Sequence, residues 1–164
     1  MPDAPSIPDA ARLCLDCGLC CNGVLFDQVR LQPGDNRKSL TARGLKIKKG
    51  GWFNQPCTAL CGTLCLLYQS RPTRCRQFEC RQYQQVAAGE ISYESAVRRI
   101  AVVKGQVARI NLLLPPSGGG NTRKPLAQRY ATAVESSPEA AQNSGLIEAM
   151  SRLQMELNGH FRLG

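Results

Sequence analysis

Nine cysteines in 164 residues, all between Cys14 and Cys80, constrain this chain more than any other feature. A cysteine content of this kind serves disulfides, metal ligation or reactive thiols, and the compartment decides between them. The N-terminus has no basic start and no apolar run of signal length, so no secretory signal is expected. The stretch before Cys14 also lacks the apolar segment of a lipoprotein signal. The longest apolar run, Ile110 to Leu114, is far below the roughly 18 residues of a membrane span. The reading is therefore a cytoplasmic protein with reduced thiols and no membrane association. An odd number of cysteines also fits a complete disulfide framework poorly.

The first group is Cys14, Cys17, Cys20 and Cys21. Two residues between cysteines let both sulfurs face one centre, and three in succession resemble a ferredoxin-type iron–sulfur run more than a zinc pair. The spacing tilts towards iron–sulfur and leaves zinc open. Adjacent side chains in extended chain point to opposite sides, so Cys21 is expected to serve a second centre or to bridge. The second group is Cys57, Cys61, Cys65, Cys75 and Cys80. Gly62 argues against a regular helix through the first three of these. Cys75 and Cys80 are offset by about 140° on an ideal helix, so one leaves the face or the helix ends early. Cys61 is read as a free thiol.

Arg71, Arg74, Arg76 and Arg81 crowd the second group. Guanidinium groups there would offset the charge of about −2 on a tetrathiolate centre. Arg71 and Arg76 are the chosen donors to sulfur, with the Tyr68 hydroxyl as a third; a solvated helix face is the equal alternative. The formal charge of +9 falls to +5 once eight thiolates and two divalent ions are counted, which weakens any case for nucleic acid. The basic stretch from Arg37 to Lys49 reads first as a solvated loop or ribbon. The sole histidine, His160, is far from the cysteines and is expected in solvent. No Ser/His/Asp triad, phosphate loop or carboxylate pair is present in the sequence.

The expected fold is α+β and mainly α-helical: one small domain with an irregular, metal-nucleated N-terminal half. Residues 1–13 read as a leader, loosely ordered at its start. Residues 14–116 form the cysteine-cluster domain, 117–136 a flexible linker around Gly118, Gly119 and Gly120, and 137–164 a C-terminal helix and tail. A short strand is predicted within Gly23 to Leu31 and a turn at Pro33 to Asn36. A helix is predicted from Pro72 to Ala88, with Gly89 as its stop. Ser92 caps the next, whose apolar positions Tyr93, Val97, Ile100, Val103, Val107, Ile110 and Leu114 step by three or four. Leu146, Met150, Leu153 and Leu157 mark the last.

Cys14-Leu15-Asp16-Cys17-Gly18-Leu19-Cys20-Cys21, followed by Pro56-Cys57, by Cys65 and Tyr68, and by Arg71-Pro72 with Cys75-Arg76 and Cys80, resembles the CxxCxxCC cysteine-cluster family of zinc- or iron-chelating domains. The resemblance covers roughly residues 14–82. It implies metal binding by Cys14, Cys17, Cys20, Cys21, Cys57, Cys65, Cys75 and Cys80, and leaves Cys61 as an extra. One branch of that family, the flagellin lysine-N-methylases, joins a similar cluster to methyl transfer from S-adenosylmethionine and points towards iron–sulfur. This chain has no glycine-rich nucleotide loop and little room for a methylase domain. Three functions are weighed: a metal-binding module, structural or carrying electrons or metal; an iron–sulfur enzyme; and a zinc module binding nucleic acid through Arg37 to Lys49. The partner is open, with a protein partner possible.

Overall fold

The computed structural model describes residues 7–164. It is mainly helical, with two small antiparallel sheets. Of the expected leader, residues 1–6 lie outside the described residues, and residues 9–13 instead form the first half of helix α1, Asp9–Cys17, with Ala10 and Leu13 buried. Cys14 and Cys17 thus stand on a regular helix. It ends because Gly18 adopts the left-handed conformation at φ 72°, a terminator that glycine adopts without strain.

The predicted strand narrows to β1, Gln28–Arg30, which pairs with β2, Trp52–Asn54, with Val29 opposite Phe53. Between them the basic stretch is not an open loop. Asn36 accepts a hydrogen bond from the Ser39 amide and caps α2, Arg37–Ala42. Arg37 then donates to the carbonyls of Lys48 and Lys49, tying the segment to itself. A tight hairpin follows, β3 (Leu60–Cys61) with β4 (Leu64–Cys65), turning through Gly62.

The single helix expected over 72–88 is two: α3, Thr73–Gln77, and α4, Arg81–Ala87. Phe78 is extended at φ −74° and ψ 123°, and its ring meets Phe26 edge-on at 4.8 Å. That contact draws the chain out of the helix, and Cys80 starts a new one as its cap. Gly89 takes φ 71° just beyond the end of α4.

Helix α5, Tyr93–Leu113, begins at Ser92, whose hydroxyl accepts from the Ser95 amide. The stretch 117–136, expected to be a linker, instead carries the end of a short turn of helix, α6 (Pro116–Gly119), and α7, Leu126–Ser136. Leu126 and Ala133 are buried in the main core, so α7 is part of the packed body. The helix expected from 137 divides at Asn143. Ser137 caps α8, Pro138–Gln142, and Asn143 caps α9, Ser144–His160.

Two apolar cores result. The larger joins α1, α5, α7 and α9 through Leu13, Ile100, Val103, Ile110, Leu146, Leu153, Leu157 and Phe161. The smaller contains Leu40, Leu45, Phe53, Ala59 and Leu67. Among the described residues no helix is long and apolar enough to cross a membrane.

Candidate metal centre

Eight cysteines surround one cavity of about 680 Å³: Cys14, Cys17, Cys20, Cys21, Cys57, Cys65, Cys75 and Cys80. Cys61 is exposed on the β3–β4 hairpin and is not in the wall. All nine are free thiols.

The eight fall into two sets by which thiols act on one another. Cys14, Cys17 and Cys20 each feel Cys80, and Cys17 and Cys20 feel Cys14. Cys21 feels Cys57, Cys65 and Cys75, and Cys75 feels Cys57 and Cys65. The chain thus sends the neighbours Cys20 and Cys21 to different sets, with Cys20 the one member that feels both. The sets belong to different cores: Cys17 and Cys80 pack on the larger, and Cys57, Cys65 and Cys75 on the smaller. Among the described residues, no three or more of these side chains converge into a group able to hold a metal ion as they stand. The sets are neighbourhoods of thiols, not closed coordination shells.

Local structure presents each sulfur. Cys14 and Cys17 lie one turn apart on α1. Beyond it, the turn at Gly18 carries Cys20 and Cys21, with the Cys21 and Asn22 amides bonded to the Gly18 carbonyl. A Cβ on Gly18 would lie 3.3 Å from the Thr63 backbone, so glycine lets the hairpin close over the turn. The Cys57 amide donates to the Cys21 carbonyl at 2.8 Å, joining two members of the second set. The Cys57 sulfur accepts from the Ala59 amide at 3.4 Å, and the Cys80 sulfur from the Tyr83 amide at 3.5 Å. Such amide–sulfur bonds favour the thiolate form and commonly orient metal-bound sulfur.

Burial sets the proton affinity of the thiols. It raises Cys14 to about 11 and Cys17, Cys21 and Cys75 to about 12, with smaller contributions from neighbouring thiols. Cys20 is pushed well above the ordinary value of 9.0, and Cys57 and Cys80 also rise, held back by backbone amides. Thiols so buried stay protonated at neutral pH unless a cation replaces their protons.

Arg71 is the basic group common to both sets. It favours the thiolates of Cys14 in one and of Cys21 and Cys75 in the other. Its guanidinium lies 4.0 Å over the Tyr68 ring, and its Nε donates to the Tyr68 carbonyl. Tyr68 lines the cavity, and it is its ring and carbonyl that contact Arg71. Arg76 is placed elsewhere: it is exposed, donates to the Thr73 hydroxyl, and is absent from the wall. Arg30 and Arg74 line the cavity instead, and among the described residues no aspartate or glutamate does. The sequence reading passed over Gln55 and Gln82, both buried in the wall with an Oε1 that meets no donor. No spacing rule marks a glutamine, and their roles emerge only from the folded contacts.

The donor set suits the metals that thiolates hold: four sulfurs per set, amides aimed at sulfur, and a positive wall. A family described as "Putative zinc- or iron-chelating domain", CxxCxxCC, matches residues 13–94, half of the chain. The chain belongs to this CxxCxxCC family. No curated protein matches it, and no solved structure does. The CxxCxxCC match spans all eight wall cysteines and ends at the start of α5, so α6 to α9 lie outside it.

Proposed function

We propose that this protein binds metal at two four-cysteine centres, one on Cys14, Cys17, Cys20 and Cys80, the other on Cys21, Cys57, Cys65 and Cys75. The observation that carries this reading is that these eight cysteines line one cavity, with Cys17 and Cys80 packed on the larger core and Cys57, Cys65 and Cys75 on the smaller. Iron–sulfur clusters are the favoured occupants and zinc the alternative. In two-cluster ferredoxins the last cysteine of the clustered run serves the other cluster, and Cys21 stands in the same relation to Cys14, Cys17 and Cys20. Zinc would supply a rigid cross-link, and an iron–sulfur cluster one-electron transfer. Arg71, shared by both sets, would offset the charge of the loaded centres.

Four thiolates per centre leave no open coordination position, which favours a structural, electron-carrying or metal-carrying role over catalysis. An iron–sulfur enzyme would need an iron short of a cysteine. The nucleic-acid reading is weakened by Arg37, whose guanidinium is engaged with backbone carbonyls. Nine free cysteines fit a reducing, cytoplasmic setting.

The test is anaerobic purification, followed by an absorption spectrum and metal and sulfide analysis of one sample. A brown protein with iron and acid-labile sulfide in equal amounts identifies iron–sulfur centres. A colourless one with about two zinc ions per chain identifies closed zinc sites. Cys61→Ser keeps the wild-type metal content, whereas Cys65→Ser lowers it. A chain that takes up neither metal sinks the proposal.

A further inference from the structure

We infer that the C-terminal segment Gly159–Phe161, outside the family match, is the positioning strap of the first centre. The inference rests on the metal-binding reading above. Three hydrogen bonds join this segment to the residues just after Cys80. The Arg81 guanidinium donates to the Gly159 carbonyl at 2.7 Å, the Gln82 Nε2 to the His160 carbonyl at 2.7 Å, and the Arg81 amide to the Phe161 carbonyl at 3.0 Å. Phe161 is fully buried, lines the cysteine cavity, and belongs to the core on which Cys17 and Cys80 pack.

Cys80 needs such support. It follows the extended Phe78 and opens α4, which has only seven residues. Helices this short have little stability of their own. The strap holds the first turn of α4, and α4 packs on α1, which carries Cys14 and Cys17. Gln82 is completely buried, and its Oε1 finds no donor. A carboxamide kept there despite an unsatisfied oxygen points to the value of its bond to His160. The second set is held by other bonds: Asp35 accepts from the Thr73 amide and hydroxyl at the start of α3, which carries Cys75, and the Cys57 amide donates to the Cys21 carbonyl, so the strap bears on the first set.

The experiment compares metal loading of the full chain, a chain ending at Asn158, and Gln82→Met, which keeps the volume and removes the amide. Each is also made with Cys14→Ser or Cys65→Ser to report which centre is occupied. Competition with a chelator should show the first centre weakened at least about 10-fold by Gln82→Met, with the second unchanged. In the shortened chain, Cys14→Ser should cost no further metal and Cys65→Ser should remove what is left. Equal loading of all three chains, or equal weakening of both centres by Gln82→Met, overturns the strap. A full-length chain that binds no metal overturns the metal reading and the strap together.

Discussion

At the scale of single residues, the site is a balance between buried sulfur and nearby donors. Burial raises the thiols of Cys14, Cys17, Cys21 and Cys75 to between about 11 and 12, so at neutral pH each carries its proton. Metal binding must displace those protons, so affinity falls as pH falls. With four thiols per centre, zinc affinity should climb by up to about 10⁴-fold per pH unit, and keep climbing past the ordinary thiol value of 9.0. Chelator competition across neutral and alkaline pH checks this; a plateau at or below that value would show that the ligands are not these buried thiols. Without metal the sign reverses. A folded-state pKa above the unfolded one stabilises the fold below that same value, and the gain is lost as pH rises towards about 12. That these eight cysteines gather at one cavity and Cys61 does not agrees with the set the family resemblance implied. The displacement of Arg76 by Arg30 and Arg74 was not legible in the sequence: Arg30 reaches the wall through the pairing of β1 with a strand over twenty residues away.

At the scale of elements, legibility followed the strength of local signals. Helix α5 was readable because Ser92, a long apolar stripe and Pro115 agree. Helix α7 was missed because three glycines precede it and its buried positions include the small Ala133 and the polar Arg129, which donates to the Gly119 carbonyl and to Asn111. The division at Asn143 was missed because the apolar stripe masks a cap. The element that joins the two thiol sets, the turn after α1, depends on a glycine with a definite steric reason. Gly23 sits at φ 82°, and a Cβ there would lie 3.0 Å from Pro125 and 3.2 Å from Pro56, the residue before Cys57. The Gly23 carbonyl also accepts from the Leu126 amide and so anchors α7. Gly23→Ala should destabilise the fold by at least about 1–2 kcal/mol, from the left-handed backbone alone. It should weaken the second centre more than the first, because it pushes Pro56 and Cys57 away from Cys21. Denaturant melts with metal titration check both; a Gly23→Ala chain of wild-type stability would mean that the turn relaxes freely.

At the scale of the whole molecule, the two cores differ in how far they can stand without the centres. The larger is closed by long helices, with α5 packed along α9 and Val103, Ile110, Leu146 and Leu157 all fully buried. The smaller has five buried apolar side chains, and Cys57, Cys65 and Cys75 form part of its packing. Its strands are three residues long or shorter, and two-stranded pieces of that size do not hold by themselves. Metal bound at the proposed second centre would supply folding energy there, whereas α5 and α9 keep most of their burial without it. Stripping metal with a chelator should therefore unfold the protein in parts. Hydrogen exchange should show the amides of residues 28–77 losing protection first, α1 and α4 next as Cys80 is released from Cys14 and Cys17, and the interior of α5 and α9 last. The order follows from which core each thiol set helps to close. Loss of protection in α5 and α9 together with the hairpins would mean that the two cores fold as one unit. The cysteine-rich half would then be more than a metal-dependent lobe laid against a self-sufficient helical body.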